Sequence, residues 1–139
     1  MDLGDDELVD QLNSAWCQLV EEVALKDDAG RFLLSVTSDD SDHAEPHWAL
    51  IEESGLPDVA GAGAERGVFG FKPGYIEFAA ASLQGNAVVR GTVWQDSAGL
   101  LAVGDAHGSV QLQEYVRRLI AQQLLPESRL AEARRWLEA

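Results

Sequence analysis

The sequence predicts an α+β fold, one domain in which an antiparallel sheet is packed against helices. Three observations predict it. Stretches near both ends repeat apolar residues at helical spacing, and short runs between them alternate apolar and polar residues as strands do. Gly, Pro and Asp punctuate these runs and mark the turns and breaks between them. The expected order is helix, three antiparallel strands, short helix, two-strand hairpin and C-terminal helix. It forms one domain over 1–139, with a flexible N-terminus at 1–4.

Residues 5–25 form the first helix. Leu8, Leu12, Ala15, Leu19 and Val23 recur at helical spacing, and Trp16 and Val20 widen the stripe. Asp5, Asp6 and Glu7 fall in the first turn, where negative charge complements the helix dipole. Cys17 is expected to point into the packing of this helix, because Glu21 and Glu22 nearby do not favour a reactive thiolate. Asp27-Asp28-Ala29-Gly30 is a turn. Phe32, Leu34 and Val36 then alternate with Arg31, Ser35 and Thr37, the pattern of a strand covered mainly on one face. HWALIE, 47–52, is the second strand, reached through the polar loop SDDSDHAEP, in which Pro46 cannot donate to a ladder. The Gly- and Ala-rich segment 53–66 is a connection, and GVFGFK, 67–72, is a short strand stopped by Pro73-Gly74.

GYIEFAAASLQGN, 74–86, carries two signals. Tyr75-Ile76-Glu77-Phe78 alternates like a strand, whereas Ala79-Ala80-Ala81 is favoured in a helix and poor in a strand. The helix is the stronger reading. Tyr75, Ala79 and Leu83 align at i, i+4 and i+8, and Gly85 falls where a left-handed cap belongs. NAVVRGTVWQ, 86–95, alternates again, Asp96-Ser97-Ala98-Gly99 turns, and LLAVG, 100–104, returns as a hairpin. Ser109 can cap the next helix, in which Leu112, Tyr115 or Val116, Leu119, Ile120 and Leu124 repeat. Pro126 interrupts it, and Leu130, Ala133 and Leu137 continue the pattern beyond.

A chain of 139 residues with 46% hydrophobic and 24% charged content belongs with folded globular domains. Its apolar runs fall far short of the ~20 residues that cross a bilayer. MDLGDDELVD is acidic where a secretory signal is basic and then apolar. One cysteine excludes an internal disulfide and fits a reducing cytoplasm. The net charge of −14 is unevenly placed. Residues 1–60 hold 16 acidic side chains against Lys26 and Arg31, while residues 61–139 hold 8 of each sign. Such a field repels nucleic acid and anionic membranes and draws basic partners; it also confers solubility.

Several clusters resemble chemical sites and fail on spacing. Asp40 and Asp42 have the opening spacing of a calcium loop, without its glycine or distal glutamate. His43 and His47 stand four apart, but Pro46 between them opposes the helix that would align them. GAGAERG, 61–67, precedes a strand instead of following one, the reverse of a dinucleotide fingerprint. Asp105, His107 and Ser109 lack a strained nucleophile turn, and Ser109 is occupied as a helix cap. Arg117, Arg118, Arg129, Arg134 and Arg135 read as a solvated face balancing the acidic half. The expectation is no catalytic residue, no metal and no cofactor.

Three stretches resemble the small acidic chaperones of bacterial type III secretion, the class that handles individual effectors. LKDDAGRFLLSVTSDD resembles their entry into the first hairpin. FGFKPGYIEFAAASLQGN resembles their third strand, a break, and a short second helix. WQDSAGLLAVGDAHG with VQLQEYVRRLIAQQL resembles the last hairpin and final helix, with Trp136 near the end. The likeness covers roughly 8–137, with departures at Pro126 and in 53–66.

The resemblance implies a cytoplasmic, non-enzymatic homodimer that holds the N-terminal region of an effector in extended form and keeps it competent for secretion. It implies partner binding at Leu33, Trp48, Leu50 and Ile51, beside an acidic rim of Asp39, Asp40, Asp42 and Glu45 that would steer basic effector segments. It implies a dimer interface at Phe78, Leu83, Val89 and Val93. Ordinary core packing is the competing explanation for each of these apolar residues. A second functional expectation is an immunity protein, an acidic inhibitor that caps a basic toxin domain.

Overall fold

The computed structural model of the chain describes residues 1–36, 47–55 and 57–138. The fold is α+β: an N-terminal helix, an antiparallel sheet and C-terminal helices. The chain divides into two compact units, Met1–Gly104 and Asp105–Ala139.

The first unit begins with α1 (Leu8–Glu22). β1 (Arg31–Val36), β2 (His47–Glu52), β5 (Phe78–Ala81), β6 (Val88–Val93) and β7 (Ala98–Val103) build one sheet in the order β2-β1-β5-β6-β7, every neighbour antiparallel. A π-helical turn at Val59–Gly63 and a two-strand ribbon, β3 (Gly70–Lys72) with β4 (Tyr75–Ile76), lie between β2 and β5 in sequence. The N-terminus, expected to be flexible over 1–4, is tied at Met1 and Leu3 to the β6–β7 turn: Leu3 N donates to Asp96 O at 2.9 Å and Ala98 N to Met1 O at 2.8 Å.

α1 buries Leu8, Leu12, Trp16 and Val20, one residue every four, and leaves Ala15 and Leu19 on the flank of that stripe. Cys17 follows Trp16 by about 100° of helical rotation. The thiol is therefore exposed, contrary to its expected place in the packing. Asp5, Asp6 and Glu7 precede the helix, and the Asp5 carboxylate accepts from Glu7 N at 2.9 Å. At the far end Ala24 takes a left-handed backbone (φ 54°) and Leu25 N donates to Val20 O at 3.0 Å, closing the helix without a glycine.

α1 covers one face of the sheet. Beneath it lie Phe32 and Leu34 of β1, Phe78 and Ala80 of β5, and Val89 of β6, all buried. Trp16 is the hub, its ring 5.7 Å from Phe32, 5.8 Å from Phe69 and 5.5 Å from Phe78. Edge-to-face contacts of this kind add to the area they bury.

The expected short helix at 75–84 is overturned. Phe78–Ala81 is the central strand, with Ala80 opposite Leu34 on one side and Val89 on the other. Alanine's helical preference is a weak local bias, and both backbone edges of this segment find ladder partners while Ile76, Phe78 and Ala80 are buried. Small side chains suit the middle of a sheet crowded by four aromatic rings. Gly91 faces Phe78 across the ladder, and a Cβ there would lie 2.4 Å from the Phe78 ring. Gly85 does take positive φ (72°), but in the β5–β6 turn, where Ser82 Oγ accepts from Asn86 N and Ala87 N.

The second unit is a helical hairpin. Ser109 caps α2 (Val110–Ala121), its Oγ accepting from Leu112 N at 3.4 Å. Gln123 (φ 56°) ends that helix, and Pro126 opens α3 (Glu127–Glu138), accepting from Leu130 N at 3.1 Å. The His107 ring lies 5.4 Å from Trp136, edge to face. No described residue of α2 or α3 is buried.

Candidate functional site

Strand alternation decides which side chains reach the sheet face opposite α1. The registers align Leu50, Leu33, Ala81, Val88 and Val103 in one row across all five strands. The adjoining row pairs Ala79 with Arg90 and Arg90 with Leu101, and Trp48 lies opposite Ser35 near the β2 edge. The larger members stand in the open: Trp48 is 51% exposed, Leu50 58% and Leu101 68%. Trp94, the next residue of the same parity beyond β6, is 73% exposed. An apolar band across a sheet, with tryptophans near its margins, marks a surface suited to another polypeptide.

Polar chemistry on this face is sparse. Arg90 Nη2 lies 3.4 Å from Glu77 Oε1, and a shallow cavity of about 270 Å³ beside this pair is lined by Ser35, Phe78 and Ala79 as well. Both partners of the pair are largely exposed, so it orients more than it stabilises. β2 ends the sheet order, and its outer backbone edge has no partner strand among the described residues. Edges of this kind accept an added strand.

The structure brings Leu33, Trp48 and Leu50 together on this face and separates Ile51 from them. Ile51 projects to the α1 side and packs against the core, because it is out of phase with Trp48 and Leu50. Asp39, Asp40 and Asp42, with Glu45, lie outside the described residues. The expected dimer residues do not form a surface. Phe78 and Val89 are core residues beneath α1, Val93 lies on that same face, and only Leu83, in the β5–β6 turn, is exposed. Sequence reasoning missed Val88, Leu101 and Val103. Their signal was the odd–even phase of the last two strands, readable once Val89 is assigned inward.

A cleft of about 570 Å³ runs beside α1 between Asp10, Asn13, Cys17 and Asp58. Two of its polar side chains, Asn13 and Asp58, serve the fold. Asn13 Nδ2 donates to Asp58 Oδ1 at 2.7 Å, Asn13 Oδ1 accepts from Ala60 N, and the Asp58 carboxylate accepts from Gly61 N and Ala62 N. The Asn13 hydrogen bond first, then the Ala62 and Gly61 amides, hold the Asp58 carboxyl below the usual carboxylate range. Among the described residues no three His, Cys, Asp or Glu side chains converge on a possible metal position, and no helix is long and apolar enough to cross a membrane. Compared with family models, curated proteins and solved structures, the chain matches none.

Proposed function

We propose that the protein is a non-enzymatic, cytoplasmic escort that holds an extended, apolar and basic segment of a partner protein against the open sheet face. The observation that carries this reading is the row Leu50–Leu33–Ala81–Val88–Val103, with Ala81 buried at its centre and Leu33, Val88 and Val103 half-buried, and with Leu50, Trp48 and Leu101 exposed on and beside it. A flat apolar row beside an open strand edge suits an extended guest: its backbone pairs with β2, and its neighbouring residues turn in to rest their side chains on the row. The excess negative charge of residues 1–60 steers a basic guest and speeds its encounter. The bacterial secretion setting rests on the two remaining stretches of likeness, at 25–40 and 94–124. The third loses its helix, since 78–81 is strand. The acidity alone equally favours an inhibitor that caps a folded basic toxin domain, which is the second reading.

Trp48 and Leu50 fluoresce and dock, respectively, so one titration separates these readings. A synthetic extended peptide with alternating Leu and Lys should shift tryptophan emission and bind, while a folded basic domain should not. Leu50→Asp should weaken the peptide by about 30-fold, the scale of a buried apolar anchor. Binding only to the folded domain would establish the inhibitor reading. Binding to neither, or peptide affinity unchanged by Leu50→Asp, would overturn the escort.

A further inference from the structure

The helical hairpin carries apolar residues at core spacing, yet none of its described helical side chains is buried. Val110, Tyr115 and Leu124 are exposed, and Val116, Leu119, Leu125, Ala133 and Trp136 line an open cleft of about 340 Å³ between α2 and α3. A unit no longer than Asp105–Ala139 is below the ~40 residues that usually fold without a metal, a disulfide or a partner. Its apolar stripe calls for a cover.

Charge decides which cover. Met1–Gly104 holds 19 acidic against 5 basic residues, the whole of the −14, whereas Asp105–Ala139 holds five of each. A basic partner is drawn to the first unit. Two copies repel when their first units approach and meet no net repulsion when their hairpins approach. The cleft also carries both signs, Arg129 and Glu132 at 3.0 Å, 41% and 54% exposed. An axis passing beside this pair would set the Arg129 of each copy near the Glu132 of the other, making the patch complementary to itself.

We propose that the α2–α3 hairpin is the self-association surface of the protein, two hairpins closing face to face into a four-helix bundle with Leu119 and Trp136 at its centre. This moves the expected homodimer contact away from Phe78 and Val89, and it is independent of the partner bound on the sheet.

Sedimentation equilibrium of the full chain over a concentration series tests it. The expected result is a reversible dimer of twice 15.0 kDa, and Leu119→Asp should leave a monomer. Because that variant could simply unfold the hairpin, two exposed substitutions serve as the decisive pair. Arg129→Glu and Glu132→Arg, each with helicity unchanged by circular dichroism, should separately weaken the dimer about tenfold. Mixed in equal amounts they should form a heterodimer of near-original affinity, since opposite charges then face each other across the axis. A chain that stays monomeric throughout, which is also the outcome if its own first unit or a different protein covers the hairpin, overturns the proposal. So does a mixture no tighter than its components.

Discussion

Asp58 shows what an isolated side chain can do in this fold. Its carboxylate closes the turn at Val59–Gly63 and receives Asn13 from the middle of α1, so one residue joins helix and connection. Hydrogen bonds that favour the ionised form lower its folded-state pKa from 3.8. The sign follows directly: the carboxylate contributes stability above its unfolded pKa and loses it as the pH falls through the lower folded value. Urea unfolding at about pH 5 and about pH 2.5 should therefore show a smaller acid loss in Asp58→Asn than in the parent chain. Asp58→Ala at neutral pH should cost about 1 kcal/mol, the scale of a lost cap. Equal acid sensitivity in Asp58→Asn would remove the residue from this role. Nothing in the sequence flagged Asp58, because its partner Asn13 lies 45 residues away and no local pattern links them.

At the scale of elements, the sequence reads well where packing and periodicity agree. The apolar spacing found α1, β1 and β2, though α1 begins at Leu8, after the acidic residues expected in its first turn, and residue type found the 27–30 turn, the Ser109 cap and the break at Pro126. It reads poorly at 78–81, where alanine's propensity points one way and the ladder partners of Ala80, 46 residues upstream and 9 downstream, point the other. The Leu34–Ala80 and Ala80–Val89 pairings exist only once the chain has closed, so no window around Ala80 contains them. Ala79 tests the assignment by sign. It is half-buried on the open face opposite Arg90, so Ala79→Val adds a β-branched residue to a central strand and should stabilise by about 0.5–1 kcal/mol. In a helix the same change would destabilise by a similar amount. A lower urea midpoint, at unchanged slope, would restore the helical reading.

For the whole molecule, the burial and the charge excess both fall within the first unit. Every buried hydrophobic residue of the described chain except Ala106 lies in Met1–Gly104, and so does the full charge excess. The sequence displayed the charge step plainly, since counting needs no fold. Half of the candidate face escaped it, because Val88, Leu101 and Val103 differ from their buried neighbours only in strand phase. If core and docking row both belong to the first unit, a chain ending at Gly104 should fold cooperatively, with Trp16 in its native environment, and should keep the affinity of the full chain for the Leu-Lys peptide within about twofold. The complementary fragment, Asp105–Ala139, should be largely unstructured when dilute and gain helix as its concentration rises, because folding and association are then one equilibrium. Near-ultraviolet circular dichroism of the first fragment and a helicity series on the second measure both. A molten first fragment would mean that the sheet face depends on the hairpin, and concentration-independent helicity in the second would mean that the hairpin sustains itself.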